Sequence, residues 1–269
     1  MNMEERHLRD CRLFLFDMDG TLYLGDALFP FTKGLLAAIR ARGGRYLFMT
    51  NNSSKSVSAY VEKLARLGIK STEEDFVTSS QATALYLIKH HKTDPLYVCG
   101  TRSLKEELTK NGLTVTEDPE KAACVVMGFD TELTFGKLRD VSWLLLTRPD
   151  IPCVATNPDY VCPTEFGSVP DCGSVCDMLY NVSKRRPLVI GKPAPAMPLL
   201  AMEKWGVKKE ETLVVGDRIY TDIKSGLNAG CLTLLVLSGE TDEKILAASE
   251  DQPDFVLPSG KELLDILNA

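Results

Sequence analysis

Leu13-Phe14-Leu15-Phe16-Asp17-Met18-Asp19-Gly20-Thr21-Leu22 is the stretch that decides the fold. An apolar run ends abruptly in two carboxylates spaced two apart, and Gly and Thr follow at once. A strand alternates its side chains, so Asp17 and Asp19 share one side. They can converge at the carboxyl end of a buried strand, where open α/β sheets hold their ligands. Two acids held there suit a divalent, oxygen-ligated cation, with one carboxylate free to attack and the other to move a proton. A solvated Asp-rich turn would carry the same letters, so the rest of the chain has to decide.

Outward from this stretch, apolar runs and amphipathic stretches alternate, the rhythm of βα units around a parallel sheet. The pattern predicts a helix over 31–42, closed by Gly43-Gly44, and a strand over 46–49 that runs into Thr50-Asn51-Asn52-Ser53-Ser54. Helices over 57–67 and 80–91 follow, then strands over 96–99, 125–129 and 153–155, the last opening a turn-rich loop over 157–173. A tight strand over 188–190 leads into Gly191-Lys192-Pro193, and another over 213–215 ends in Gly216-Asp217. The most apolar strand spans 232–237. Neither internal repeats nor low-complexity segments interrupt the pattern.

Length and composition narrow the class. A chain of 269 residues, 44% hydrophobic and 25% charged, is ordinary globular material with room for two domains. A net charge of -6 argues against a nucleic-acid polymer or an anionic membrane as the main partner, while leaving room for a locally positive pocket for a small anion. No apolar run reaches membrane-spanning length, and the charged start (Glu4, Glu5, Arg6, Arg9, Asp10) is no signal peptide, so a cytoplasmic protein is expected. The eight cysteines form no C-x-x-C pair and several sit in strand-like runs, which favours reduced core thiols over zinc or disulfides. The three histidines, His7, His90 and His91, have no metal or triad spacing.

Four strand ends carry polar signatures: Asp17-x-Asp19, Thr50-Asn51-Asn52, Lys192, and Gly216-Asp217 followed by Asp222. In a parallel sheet such ends lie on one edge. They would bring together carboxylates for a cation, amide and hydroxyl donors for anionic oxygens, and an ammonium group. Phosphoryl transfer needs that inventory, because its transition state asks mainly for positioning and charge stabilisation. Blander readings exist for each: Asn52, Ser53 and Ser54 are all suited to capping a helix, Asp222 could begin one, and an isolated lysine in a turn is usually solvated.

The four signatures, in this order, resemble the haloacid dehalogenase superfamily of aspartate-nucleophile phosphatases. D-M-D-G-T-L at 17–22 matches its first motif, Thr50-Asn51 its second, Lys192 before Pro193 its third, and G-D-R-I-Y-T-D-I at 216–223 its fourth. T-N-N-S and the long separation between the second and third signatures are similar to the NagD-like, p-nitrophenylphosphatase-type subfamily, whose members insert a large α/β cap there. The resemblance implies that Asp17 is the nucleophile and Asp19 the general acid and base. It implies a magnesium ion held by the Asp17 carboxylate, the Asp19 backbone carbonyl and the Asp217 carboxylate, with Asp222 supporting that site or orienting the lysine. Thr50, Asn51 and Asn52 with Lys192 would bind the phosphate. In the cap, Thr156-Asn157-Pro158-Asp159 resembles a subfamily turn. Relatives often place a substrate-contacting histidine a few residues later, and here that position falls on Cys162, which cannot bind an anion as an imidazolium can.

The expectation is therefore an α/β protein with a doubly wound parallel core sheet from 1–80 and 185–269 and an inserted α/β cap over 81–184. Its expected activity is magnesium-dependent hydrolysis of small phosphomonoesters such as sugar phosphates or nucleoside monophosphates. A phosphotransferase or mutase could use the same intermediate, and a non-catalytic phosphometabolite-binding module could keep the same pocket. An apolar cap helix face reads the same whether it packs within the chain or against a second copy, so a homodimer stays open.

Overall fold

The computed structural model describes residues 3–164 and 166–269. Its six-stranded sheet is built around Leu13–Phe16, all four residues buried, as a strand covered on both faces must be. Leu13–Phe16 pairs in parallel with Arg45–Thr50 on one side and with Thr212–Gly216 on the other. Phe76–Thr78 lies beyond Arg45–Thr50, while Leu232–Val236 and Phe255–Leu257 extend the sheet past Thr212–Gly216. The chain thus winds outward in one direction, returns, and winds outward in the other. The reversal falls between Leu13–Phe16 and Thr212–Gly216, where a parallel sheet opens a crevice at its carboxyl edge. Phe14, Phe16, Phe48 and Phe76 are fully buried, with the Phe48 and Phe76 rings 5.2 Å apart. Burial of each such side chain is worth about 1.5–3 kcal/mol, so this sheet is strongly held.

A second, five-stranded parallel sheet has the order Leu188–Val189, Cys153–Ala155, Cys124–Met127, Leu96–Cys99, Val115–Thr116. Its helices Phe135–Thr147 and Cys172–Ser183 bury Val141, Leu144, Leu145, Val175 and Leu179 in one apolar cluster with Val125 and Met127. Threonine hydroxyls at 78, 101 and 134 and the Asp171 carboxylate accept the first orphan N–H groups of four helices in the chain.

By compactness the chain divides into one unit of Met1–Thr50, Val61–Val77 and Lys192–Ala269, and another of Asn51–Tyr60 and Thr78–Gly191. The sequence pattern places all four signature strands in one sheet, but the third does not belong there. Leu188–Val189, the strand before Lys192, pairs with Cys153–Ala155 in the five-stranded sheet. A short apolar run reads the same whichever sheet completes its hydrogen bonds. The structure adds short strands at Phe76–Thr78 and Val115–Thr116 and, inside the turn-rich loop, a hairpin of Val161–Thr164 with Gly167–Pro170. Among the described residues no helix is long and apolar enough to cross a membrane.

Candidate active site

Asp17 is the first residue beyond its strand, and its N–H still donates to the Val215 carbonyl at 2.8 Å. That bond continues the ladder by one step and sets Asp17 beside Gly216-Asp217 at the reversal point. One carboxylate oxygen from each of Asp17, Asp217 and Asp222 lies within 4.8 Å of the others. Asp217 and Asp222 are buried, whereas the Asp17 side chain keeps 17% of its surface exposed. Asp222 reaches the cluster through a wide helical turn over Ile219–Ile223, in which the N–H groups of Asp222 and Ile223 both donate to the Arg218 carbonyl. Wide turns of this kind concentrate at functional sites.

Lys192 is the cation of the cluster. Its side chain is 3% exposed, and its ammonium donates to Asp17 Oδ1 at 2.7 Å, Asp222 Oδ1 at 2.5 Å and the Met49 carbonyl at 3.3 Å. Burial alone would lower its pKa, but Asp17 and Asp222 outweigh that and hold it above the ordinary lysine value. The other oxygen of Asp222 accepts the Arg218 N–H at 3.1 Å, so Asp222 has the geometry of a support for Lys192. Burial, followed by repulsion from Asp17 and Asp222, pushes Asp217 up to about 7. Asp222 is also raised, by burial, although Lys192 pulls the other way. Asp19 leaves its side chain accessible, yet the surrounding chain withholds enough water to raise its carboxyl against the pull of Lys63.

Arg218, unassigned from the sequence although it stands inside the fourth signature, is the second cation here. Burial opposes its charge, but Asp17 and then Glu240 keep its pKa above the ordinary arginine value. Lys192 and Arg218 set two positive charges against the carboxylates of Asp17, Asp217, Asp222 and Glu240, so negative charge is in excess, and Asp217 and Asp222 sit above their usual range. Hard oxygen donors short of positive charge fit a small divalent cation.

The T-N-N-S-S segment is held by a set of polar contacts. Thr50, buried, ends its strand. The Asn51 side-chain amide donates to Asp159 Oδ2 at 2.8 Å, which fixes the orientation of the side chain. Asn157 donates to the same Asp159 oxygen at 2.9 Å and to Asp171 Oδ1 at 3.0 Å. Ser53 Oγ lies 2.8 Å from Thr156 Oγ1 and accepts the Phe129 N–H at 2.9 Å. Thr101 donates to the Ser54 carbonyl at 3.2 Å. The Thr156–Asp159 turn is therefore the hub of a buried polar network that fixes residues 51–54, a role its resemblance alone did not reveal. Asn52 turns its Oδ1 to Ser54 N and Oγ, the Asx geometry of a turn or cap. Its amide points at Cys162 Sγ, 3.9 Å away on the first strand of the exposed hairpin. The Cys172 and Cys176 thiols lie 3.9 Å apart on one buried helix face, and no disulfide joins any of the eight cysteines.

The haloacid dehalogenase-like hydrolase family matches residues 14–114, and a second HAD-hydrolase-like description matches residues 189–263. The 5'-nucleotidase YutF of Bacillus subtilis is 35% identical over 246 residues, covering 91% of this chain and 94% of that protein. The crystal structure of a 4-nitrophenylphosphatase from Thermotoga maritima superposes with a TM-score of 0.91 at 39% identity, covering 96% of this chain and 98% of that one. A glycerol phosphate phosphatase from Mycobacterium tuberculosis, solved with calcium, superposes with a TM-score of 0.88 at 30% identity, covering 96% and 76%. With both ends of the core matched by family and nearly the whole chain matched in three dimensions, this chain belongs to the haloacid dehalogenase-like hydrolases, in their NagD-like, p-nitrophenylphosphatase-type group.

Proposed function

We propose that this chain, a phosphomonoester hydrolase, is a magnesium-dependent phosphatase of small metabolites that works through an aspartyl-phosphate on Asp17. The observation that carries the reading is the placement of Asp17: a partly accessible carboxylate at the sheet reversal, 2.7 Å from a buried ammonium and grouped with Asp217. A carboxylate oxygen of Asp17 forms the new bond to phosphorus as the P–O bond to the alcohol breaks. Asp19, its pKa raised, gives the departing alkoxide a proton. In the second half-reaction Asp19 takes a proton from water, whose oxygen attacks phosphorus and frees Asp17 and inorganic phosphate. Lys192, the Thr50 hydroxyl and the backbone around Asn51 offset charge on the transferring phosphoryl oxygens.

A magnesium ion, held by the Asp17 and Asp217 carboxylates and the Asp19 carbonyl, would supply the charge that lets a dianion approach acids. Asp222 holds Lys192 in place. The unit over Asn51–Tyr60 and Thr78–Gly191 is assigned the selection of the leaving group, with Cys162 as its contact at the hairpin. The named relatives act on a nucleotide, a nitrophenyl ester and a glycerol ester, so their shared element is the phosphate and not the alcohol. Small phosphomonoesters in the cytoplasm are the corresponding substrates here.

The test is phosphate release from a broad phosphomonoester panel, with magnesium and with chelator, for wild type and Asp17→Asn. Metal-dependent turnover that the variant lacks is the expected result. Turnover retained by Asp17→Asn would overturn the covalent route. A folded, metal-binding wild type that hydrolyses nothing would favour transfer to another acceptor, or binding alone.

A further inference from the structure

Beyond the apolar strand Leu232–Val236 the chain turns through Ser238-Gly239-Glu240-Thr241, and every residue of this turn engages the first or fourth signature. Ser238 Oγ donates to the Gly20 carbonyl at 2.8 Å. Gly239 lies so close to Asp217 that a Cβ there would fall 2.0 Å from its Oδ2 and 2.4 Å from its Cγ. The Glu240 N–H donates to Asp217 Oδ2 at 2.7 Å, and the Thr241 N–H donates to the Asp217 carbonyl at 3.2 Å. On the far side, a Cβ at Gly20, where φ is +82°, would fall 2.5 Å from the same Oδ2. The Asp217 carboxylate is thus sandwiched between two glycines, and one oxygen is tied to the turn by a peptide N–H. The Glu240 side chain faces solvent, yet it is gripped twice: by Arg218 Nε at 2.8 Å and by the Tyr220 hydroxyl at 2.7 Å.

We infer that Glu240 is a positioning residue for the divalent cation, acting through Asp217. Its side chain, locked by Arg218 and Tyr220, anchors the 238–241 turn to the fourth signature. The anchored turn presents one N–H to Asp217 Oδ2, which fixes the rotation of a carboxylate that has one oxygen within 4.8 Å of oxygens of Asp17 and Asp222. The other oxygen, Oδ1, receives a long 3.4 Å contact from the Thr21 hydroxyl. A carboxylate whose orientation is fixed before the cation arrives binds it more tightly than one free to rotate, and such supporting partners are worth about 10- to 100-fold in metal affinity. The inference rests on the proposal that the acidic group holds a divalent cation. The contrasting account is that Glu240 and Arg218 form a surface ion pair, which would leave cation affinity unchanged.

The experiment titrates magnesium calorimetrically into the full-length wild type, Glu240→Ala and Tyr220→Phe, each freed of metal by chelation. Tyr220→Phe removes one lock with no change of charge. The expected result is about 10-fold weaker magnesium binding for Glu240→Ala and a loss of about 3-fold for Tyr220→Phe, with metal-free melting temperatures close to wild type. In turnover, the magnesium half-saturation should rise by the same factors while kcat recovers at high magnesium, a rescue that a merely structural defect would not give. Unchanged magnesium affinity in both variants overturns the inference. So does a loss confined to Glu240→Ala that disappears at high salt, since that identifies long-range charge rather than orientation. A wild type that binds no divalent cation overturns it together with the metal reading itself, and is told apart because the parent protein already fails.

Discussion

Replacing Asp217 with asparagine tests the electrostatics of the site without any substrate. The buried Asp217 carboxyl is raised from an ordinary 3.8 to about 7, first by burial and then by Asp17 and Asp222. Its folded form therefore binds a proton that the unfolded form has released, and metal-free stability falls as pH rises from the unfolded value through the folded one. At about 1.4 kcal/mol per unit, the charged carboxylate costs about 4 kcal/mol near pH 7.5 and about 1 kcal/mol near pH 4.5. Asparagine has nearly the same shape and its carbonyl can still accept the Glu240 N–H, so it escapes this cost at both values. Asp222 shares the repulsion, so neutralising Asp217 relieves it as well. In chelator, Asp217→Asn should gain about 3 kcal/mol over wild type between about pH 4.5 and about pH 7.5, measured by urea unfolding at each pH. The variant should also lose the stabilisation that magnesium gives wild type. A variant less stable than wild type near neutral pH, or a difference independent of pH, would refute the reasoning.

Two further outcomes bear on the rest of the site. Lys192→Met leaves the Asp17 and Asp222 carboxylates without their ammonium and should cost about 3–5 kcal/mol, with Asp222→Asn in the same chain restoring a large part; additive losses in unfolding experiments would mean the pair is not coupled. Ser53→Ala removes the acceptor of the buried Phe129 N–H and the partner of Thr156, so stability should fall by about 1–3 kcal/mol and the amide of Phe129 should exchange faster with solvent, whereas unchanged exchange would count against the network.

The core was legible in the sequence because its signals are local. An all-buried strand must be apolar throughout, and it must end where Asp17 meets solvent, so Leu13–Phe16 announced itself. Asp217 and Lys192 were legible for the same reason: each interrupts or follows an apolar run. The sheet to which Leu188–Val189 belongs was not, since two residues of strand carry no record of their neighbour. Arg218 was visible in its signature, but its importance depends on a carboxylate two hundred residues away in sequence. Glu240 looked like a solvent-facing acid in a turn, and the atom it contributes to Asp217 is a peptide N–H, which every residue but proline possesses. The Asn51–Asp159 bond likewise joins segments more than a hundred residues apart, and nothing in either segment specifies the other.

The Ser53 contact has a consequence for how this chain can evolve. The five-stranded sheet also reverses direction, between Leu96–Cys99 and Cys124–Met127, where strand order of this kind opens a crevice next to Gly100 and Gly128. That crevice is plugged by the chain itself. Ser53 Oγ stands 3.2 Å from where a Gly128 Cβ would be and takes the Phe129 N–H, and Thr101 reaches over to the Ser54 carbonyl. An architecture able to host a small molecule has instead taken a tethered peptide as its permanent occupant. A change at Gly128 that would retune a ligand pocket in another protein would here press on Ser53 and shift the segment that follows Thr50, so this glycine ties the inserted sheet's freedom to vary to the chemistry of the second signature.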